Sequence, residues 1–238
     1  MPFPLLKSDA RNLMRDNSPK IIFVSIIFIF LSEIMSELQF RLPGTSSAYE
    51  QYLQRLAAGE LQNIGTIYSY LRPSGVPLAF LLWLLSSVLD VGFKSYCLKI
   101  TRRQNGEYKD LFDGFLVVWK ILLIRILTIV LVALWSLLFI IPGIVAFYRY
   151  RQAWYILLDD PQKSALQCIS ESKRLMQGRK LDLFLLDLSF IGWSFLNYLI
   201  LLLLPLPFSL PIVMIWLAPY YGLTCAAYYN QLTNLLAV

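Results

Sequence analysis

Histidine is absent from the 238-residue chain. Its absence removes the commonest metal ligand and the commonest acid–base group near neutral pH. Cysteine is sparse. Cys97, Cys168 and Cys225 lie far apart and form no CxxC, so they read as free thiols rather than a metal or redox motif. No GxSxG, HExxH, phosphate-binding loop or dinucleotide fingerprint occurs. An enzyme is therefore not expected, nor are catalytic residues, cofactors or metals. Charge is thin as well: 15% of residues are charged, where a soluble domain carries about a quarter. The net charge is +6. Without an RNP-like segment, zinc-finger spacing or a basic stripe interleaved with aromatics, that charge does not predict a nucleic-acid partner.

What is abundant is apolar sequence: 58% of residues are hydrophobic, and the mean hydropathy is +0.60. The excess comes in long runs, and a membrane-crossing helix needs about 20 apolar residues. Six runs read as spans, at about 21–40, 76–100, 115–141, 144–158, 181–204 and 212–229, the fourth of them short. Pro142-Gly143 reads as the tight turn between the third and fourth, and the proline-rich stretch 205–211 as the turn between the fifth and sixth. The first run has no Ala-x-Ala cleavage spacing and outlasts a signal-peptide core, so it reads as a retained anchor. The fold class is all-α: a polytopic transmembrane helical bundle, one integral membrane domain over 1–238.

Basic residues set the orientation. Lys7, Arg11, Arg15 and Lys20 precede the first run. Lys99, Arg102, Arg103 and Lys109 follow the second, and Lys163, Lys173, Arg174, Arg179 and Lys180 follow the fourth. The positive-inside rule puts all three segments, and both termini, in the cytoplasm. Residues 1–20 are then a cytoplasmic tail, and 41–75 an external loop. In that loop Ala48, Tyr49, Tyr52, Leu53, Leu56 and Ala57 recur at helical spacing and predict a short helix. Residues 160–178 form a cytoplasmic interfacial helix. Asp160-Pro161 reads as its start, Gly178 as its stop, Ala165, Ile169, Ser172 and Met176 as its apolar face, and Lys163, Lys173 and Arg174 as its basic face. Its apolar face either covers the inner mouth of the bundle or meets lipid or a partner.

The chemistry-bearing residues are charges inside apolar runs. An ionised group there costs about 2.5–3.5 kcal/mol on insertion scales, so it pairs or lines a cavity. Counting about 1.5 Å per residue from the cytoplasmic ends puts Asp90 and Arg125 at a common depth and Arg151 and Asp187 at another. Two pairs follow: Asp90–Arg125, with Lys94 as the competing partner one turn from Asp90, and Arg151–Asp187. Arg149, two residues from Arg151, points the other way and needs Glu33 or a bound anion. Ser25, Ser32, Glu33, Ser36 and Glu37 in the first run, and Ser86, Ser87, Asp90 and Lys94 in the second, form polar stripes expected to face the bundle interior.

A long signature runs through the middle of the chain. It comprises Leu134-Trp135-Ser136-Leu137-Leu138, Ile141-Pro142-Gly143-Ile144, Tyr155-Ile156-Leu157 with Asp159, Leu186 to Trp193, and Pro219-Tyr220. Over about 111–232 it resembles the bacterial integral membrane family called domain of unknown function 975. The resemblance implies a six-span protein of the bacterial cytoplasmic membrane and no assigned activity. The surplus of membrane-level arginine over aspartate adds an expectation of its own, that the protein binds or moves an anionic lipid or amphiphile. The alternatives are a non-catalytic accessory subunit of a membrane complex, with other membrane proteins as partners, and a small-solute secondary transporter, for which no inverted repeat is visible.

Overall fold

The computed structural model describes residues 3–42, 46–59, 75–203 and 212–236. Every regular element among them is helical. In chain order these are α1 (Phe3–Asp16), α2 (Lys20–Arg41), α3 (Ser46–Ala57), α4 (Val76–Thr101), a 3-10 segment (Tyr108–Val117), α5 (Val118–Leu138), α6 (Ile140–Tyr150), α7 (Ala153–Asp159), α8 (Ala165–Leu175), α9 (Lys180–Leu203) and α10 (Ile212–Leu236). Among the described residues three stretches are long and apolar enough to cross a membrane: Lys20–Arg41, Val76–Thr101 and Tyr108–Leu138. The proline-rich turn expected at 205–211 lies outside the described residues, as does most of the second half of the 41–75 loop.

The centre of the bundle is α4, α7 and α10. Every residue of α7 from Ala153 to Leu157 is buried. Tyr155 stacks on Tyr229 of α10 at 5.1 Å between ring centroids. In lipid no hydrophobic gain separates helix–helix from helix–lipid contact, so tight packing through small residues must hold such a bundle. Gly92 of α4 and Gly114 of the 3-10 segment supply it. A Cβ on Gly92 would overlap the Leu111 carbonyl, and one on Gly114 would overlap that of Val88. The segment between the second and third apolar runs is thus bolted along α4. Lys99 bonds Asp110 at 2.8 Å and Asp113 at 2.7 Å, and Ser95 donates to Asp113 at 2.7 Å.

Other expectations are adjusted. The predicted tail is helix α1, whose Leu6, Ala10 and Met14, at spacing four, are buried; α1 packs on α10. The helix predicted between 41 and 75 is present as α3. The chain bends at Phe139, which is extended (φ −163°, ψ 157°), and not at Pro142-Gly143. Proline has no N–H to lose in a first helical turn, and Pro142 sits in the first turn of α6. Likewise α8 is capped by Ser164 and Gln167, each side chain bonding the other's backbone N–H, and not by Asp160, whose carboxylate accepts from the Gln162 N–H at 3.1 Å. Gly178 does hold the left-handed conformation (φ 73°) after α8.

Candidate functional site

The polar side chains gather where α6 gives way to α7. Tyr150 ends one helix and Ala153 begins the next, leaving Arg151 and Gln152 between them. Ser172 of α8 fills the gap. Its hydroxyl accepts from the Gln152 N–H at 3.1 Å and donates to the Arg149 carbonyl at 2.9 Å. One side chain thus satisfies a donor and an acceptor that a buried helix break would otherwise strand. The buried face of α8, Ala165, Cys168, Ile169 and Ser172, is turned into the protein, against α5, α6 and α7. The apolar face expected for this helix thus packs on the protein itself. Arg149 and Arg151, two positions apart, leave the break in different directions.

Arg151 enters a closed cluster. It pairs with Asp187 of α9 and contacts the Tyr221 hydroxyl of α10. The hydroxyls of Tyr148 and Tyr221 donate to the two carboxylate oxygens of Asp187 at 2.9 Å and 2.8 Å. The rings of Phe147, Tyr148 and Tyr221 each lie 5.7–5.8 Å from the guanidinium carbon. This pair forms as expected from depth, and its tyrosines supply donors that an isolated ion pair would lack. The site ties α6, α9 and α10 together and leaves both charges satisfied.

The other expected pair does not form. Asp90 bonds Lys94, one turn along its own helix, at 2.5 Å. Arg125 donates to Ser87 at 3.4 Å and lies between the rings of Trp83 and Trp154, 6.0 Å and 5.6 Å from their centroids. Cation–π contact on two faces replaces the carboxylate. Equal depth did not bring the groups together because depth says nothing about direction around a helix. Glu33 is no partner for Arg149 either. In α2 the buried residues are Ile21, Val24 and Ser25, while Glu33, Ser36 and Glu37 are exposed, so only the Ser25 end of that stripe faces the interior. Glu37 pairs with Arg41 at 2.7 Å.

Arg149 opens instead onto a cavity of about 240 Å³ shared with Lys173 of α8, Gln177 and Lys180 of α9. None of these three cations has a carboxylate within 4.0 Å among the described residues. The other side of Arg149 closes an apolar groove of about 280 Å³ lined by Trp135, Ile141, Pro142, Val145 and Ala146. A larger cavity, about 640 Å³, lies beside Ser95, Lys99, Asp113 and Lys120. Its lysines are already engaged, Lys99 by two aspartates and Lys120 by the Pro161 carbonyl. Uncompensated charge therefore singles out the smaller cavity. Residues 139–235 match the family model described as Protein of unknown function (DUF975). The matched stretch begins at the α5–α6 bend and takes in Arg149, Arg151, Ser172, Lys173, Lys180, Asp187 and Tyr221. No curated protein and no solved structure matches the chain.

Sequence reasoning missed Lys173 and Lys180 as site residues because loop lysines are explained by orientation alone. It also missed a clamp between α4, α7 and α10. Arg102 bonds both oxygens of Asp159 at 2.6 Å and 3.0 Å, and Tyr229 donates to the same carboxylate at 2.7 Å. The hydrogen bond to Asp159 raises the pKa of the Arg102 guanidinium, so the clamp keeps its cation at any working pH. Asp159 is the last residue of α7.

Proposed function

We propose that the protein is a six-span membrane protein of the bacterial cytoplasmic membrane, with both termini inside. In this reading it binds an anionic lipid or amphiphile at Arg149, Lys173 and Lys180 without chemical conversion. The observation that carries this reading is three cations around one cavity with no carboxylate within 4.0 Å of them among the described residues. Such a grouping repels itself unless an anion is present, and arginine offers a planar fork that fits phosphate or carboxylate. The six-run hydropathy and the basic residues at 1–20, 99–109 and 163–180 support a position at the inner leaflet, where anionic headgroups are plentiful. Native mass spectrometry of wild-type protein and of an Arg149→Gln/Lys173→Gln/Lys180→Gln variant tests it. Wild type should carry a co-purified anionic lipid that the variant loses. Equal lipid content in both would overturn the reading.

A second reading, an accessory subunit, is favoured by one observation. Glu33, Ser36 and Glu37 are exposed on α2, a helix apolar enough to lie in lipid, and intramembrane carboxylates facing hydrocarbon are costly. Site-specific photocrosslinking from position 33 in native membranes should then capture a single membrane protein partner. Capture of lipid alone would exclude it.

A further inference from the structure

The cationic cavity and the apolar groove meet at one residue, Arg149. Pro142, Val145, Ala146 and Arg149 recur along α6 at helical spacing and form one continuous stripe, with Trp135 of α5 as the opposite wall. From Ile141 to Arg149 the stripe runs about 12 Å along the helix. Beyond Arg149 the lining changes abruptly from apolar to Lys173, Gln177 and Lys180. The lining therefore changes from apolar to cationic at a single shared side chain, as polarity changes in an amphiphile at the junction of tail and headgroup.

Resting on the anionic-amphiphile reading above, we infer that this is one bipartite site for a single-chain lipid ending in a phosphate monoester. The chain lies in the groove along α6, and the phosphate lies between Arg149, Lys173 and Lys180. Two features set the class. The stripe offers one groove, bounded on one side by α6 and on the other by Trp135, so it seats one chain. Three uncompensated cations match a group carrying more than one negative charge. A phosphate monoester carries about −1.5 to −2 near neutral pH, whereas a carboxylate or a phosphodiester carries a single charge. A monoester also leaves three oxygens free to accept from a guanidinium fork and two ammonium groups.

Binding to purified protein in a neutral detergent tests the inference, with dodecyl phosphate, inorganic phosphate, dodecanoate and dodecylphosphocholine as probes. Dodecyl phosphate should bind at least about tenfold more tightly than each of the other three, and its affinity should fall as pH drops through about 6, where the monoester loses its second charge. Val145→Trp fills the groove from a half-exposed position. It should weaken dodecyl phosphate by roughly tenfold and leave inorganic phosphate unchanged, since it removes apolar contact alone. Trp135→Ala, which opens the other wall, should act in the same direction and guards against misfolding of a single variant. Equal binding of inorganic and dodecyl phosphate, with both groove variants silent, would overturn the chain while leaving the anionic site standing. Equal binding of dodecanoate or dodecylphosphocholine would overturn the monoester. Failure of every anion to bind would remove the inference and the functional reading beneath it.

Discussion

Arg151 and Asp187 show how a membrane-level charge can be made structural. Both carboxylate oxygens accept from a tyrosine, and three rings line the guanidinium. Removing one partner strands the other, and for buried pairs that costs about 3–5 kcal/mol. Each side chain here is about a fifth exposed, so Arg151→Met should cost about 3 kcal/mol, the lower end of that range. The Arg151→Met/Asp187→Leu double variant should recover most of the loss, read as Tm in detergent. A double variant less stable than either single would refute the pairing. At Ser172 the expected effect is smaller. Ser172→Ala leaves the Gln152 N–H and the Arg149 carbonyl without their partner and should cost about 1–3 kcal/mol. A Tm equal to wild type would show that another group closes the break. Depth counting was enough to find Arg151–Asp187, because both residues also face inward. It failed for Asp90–Arg125, where Lys94 lies closer along the same helix and two tryptophans satisfy Arg125. The convergence of Lys173 and Lys180 on Arg149 was illegible, since nothing in a basic segment says which of its lysines come together beside a helix break.

Among the elements, the long apolar helices were the most legible, since length and hydropathy alone define them. Their breaks were less so. The 3-10 segment at Tyr108–Val117 does open on a local bond, from the Glu107 N–H to the Asp110 carboxylate at 2.7 Å, but its seat on α4 depends on tertiary contact, and Phe139 is an ordinary apolar residue at its bend. The 3-10 segment stays on α4 because Gly92 and Gly114 let backbone meet backbone. Gly92→Val would push the segment away and part Lys99 from Asp110 and Asp113. Overpacking of this kind costs about 1–3 kcal/mol before the ion pairs are counted. The expected result is a lowered Tm together with faster proteolysis between 102 and 118. Wild-type stability would mean that the two elements are not in contact.

For the whole molecule, the proposed orientation makes a direct prediction. Cys97, Cys168 and Cys225 are all buried, and burial also raises the Cys168 thiol pKa, which lowers its reactivity further. Wild type should therefore be nearly blank to an impermeant maleimide. Gln54→Cys on α3 should label in intact cells, and Ser8→Cys on α1 only after the membrane is opened. The reverse pattern would invert the topology and move Arg149, Lys173 and Lys180 to the outer leaflet.

Ser172 and Lys173 are consecutive. The first bridges the Arg149 carbonyl and the Gln152 N–H, and the second lines the cavity beside Arg149. The group that mends the helix break and one cation of the cavity are therefore carried by neighbouring residues of the same helix, so a change that displaces α8 would disturb both at once.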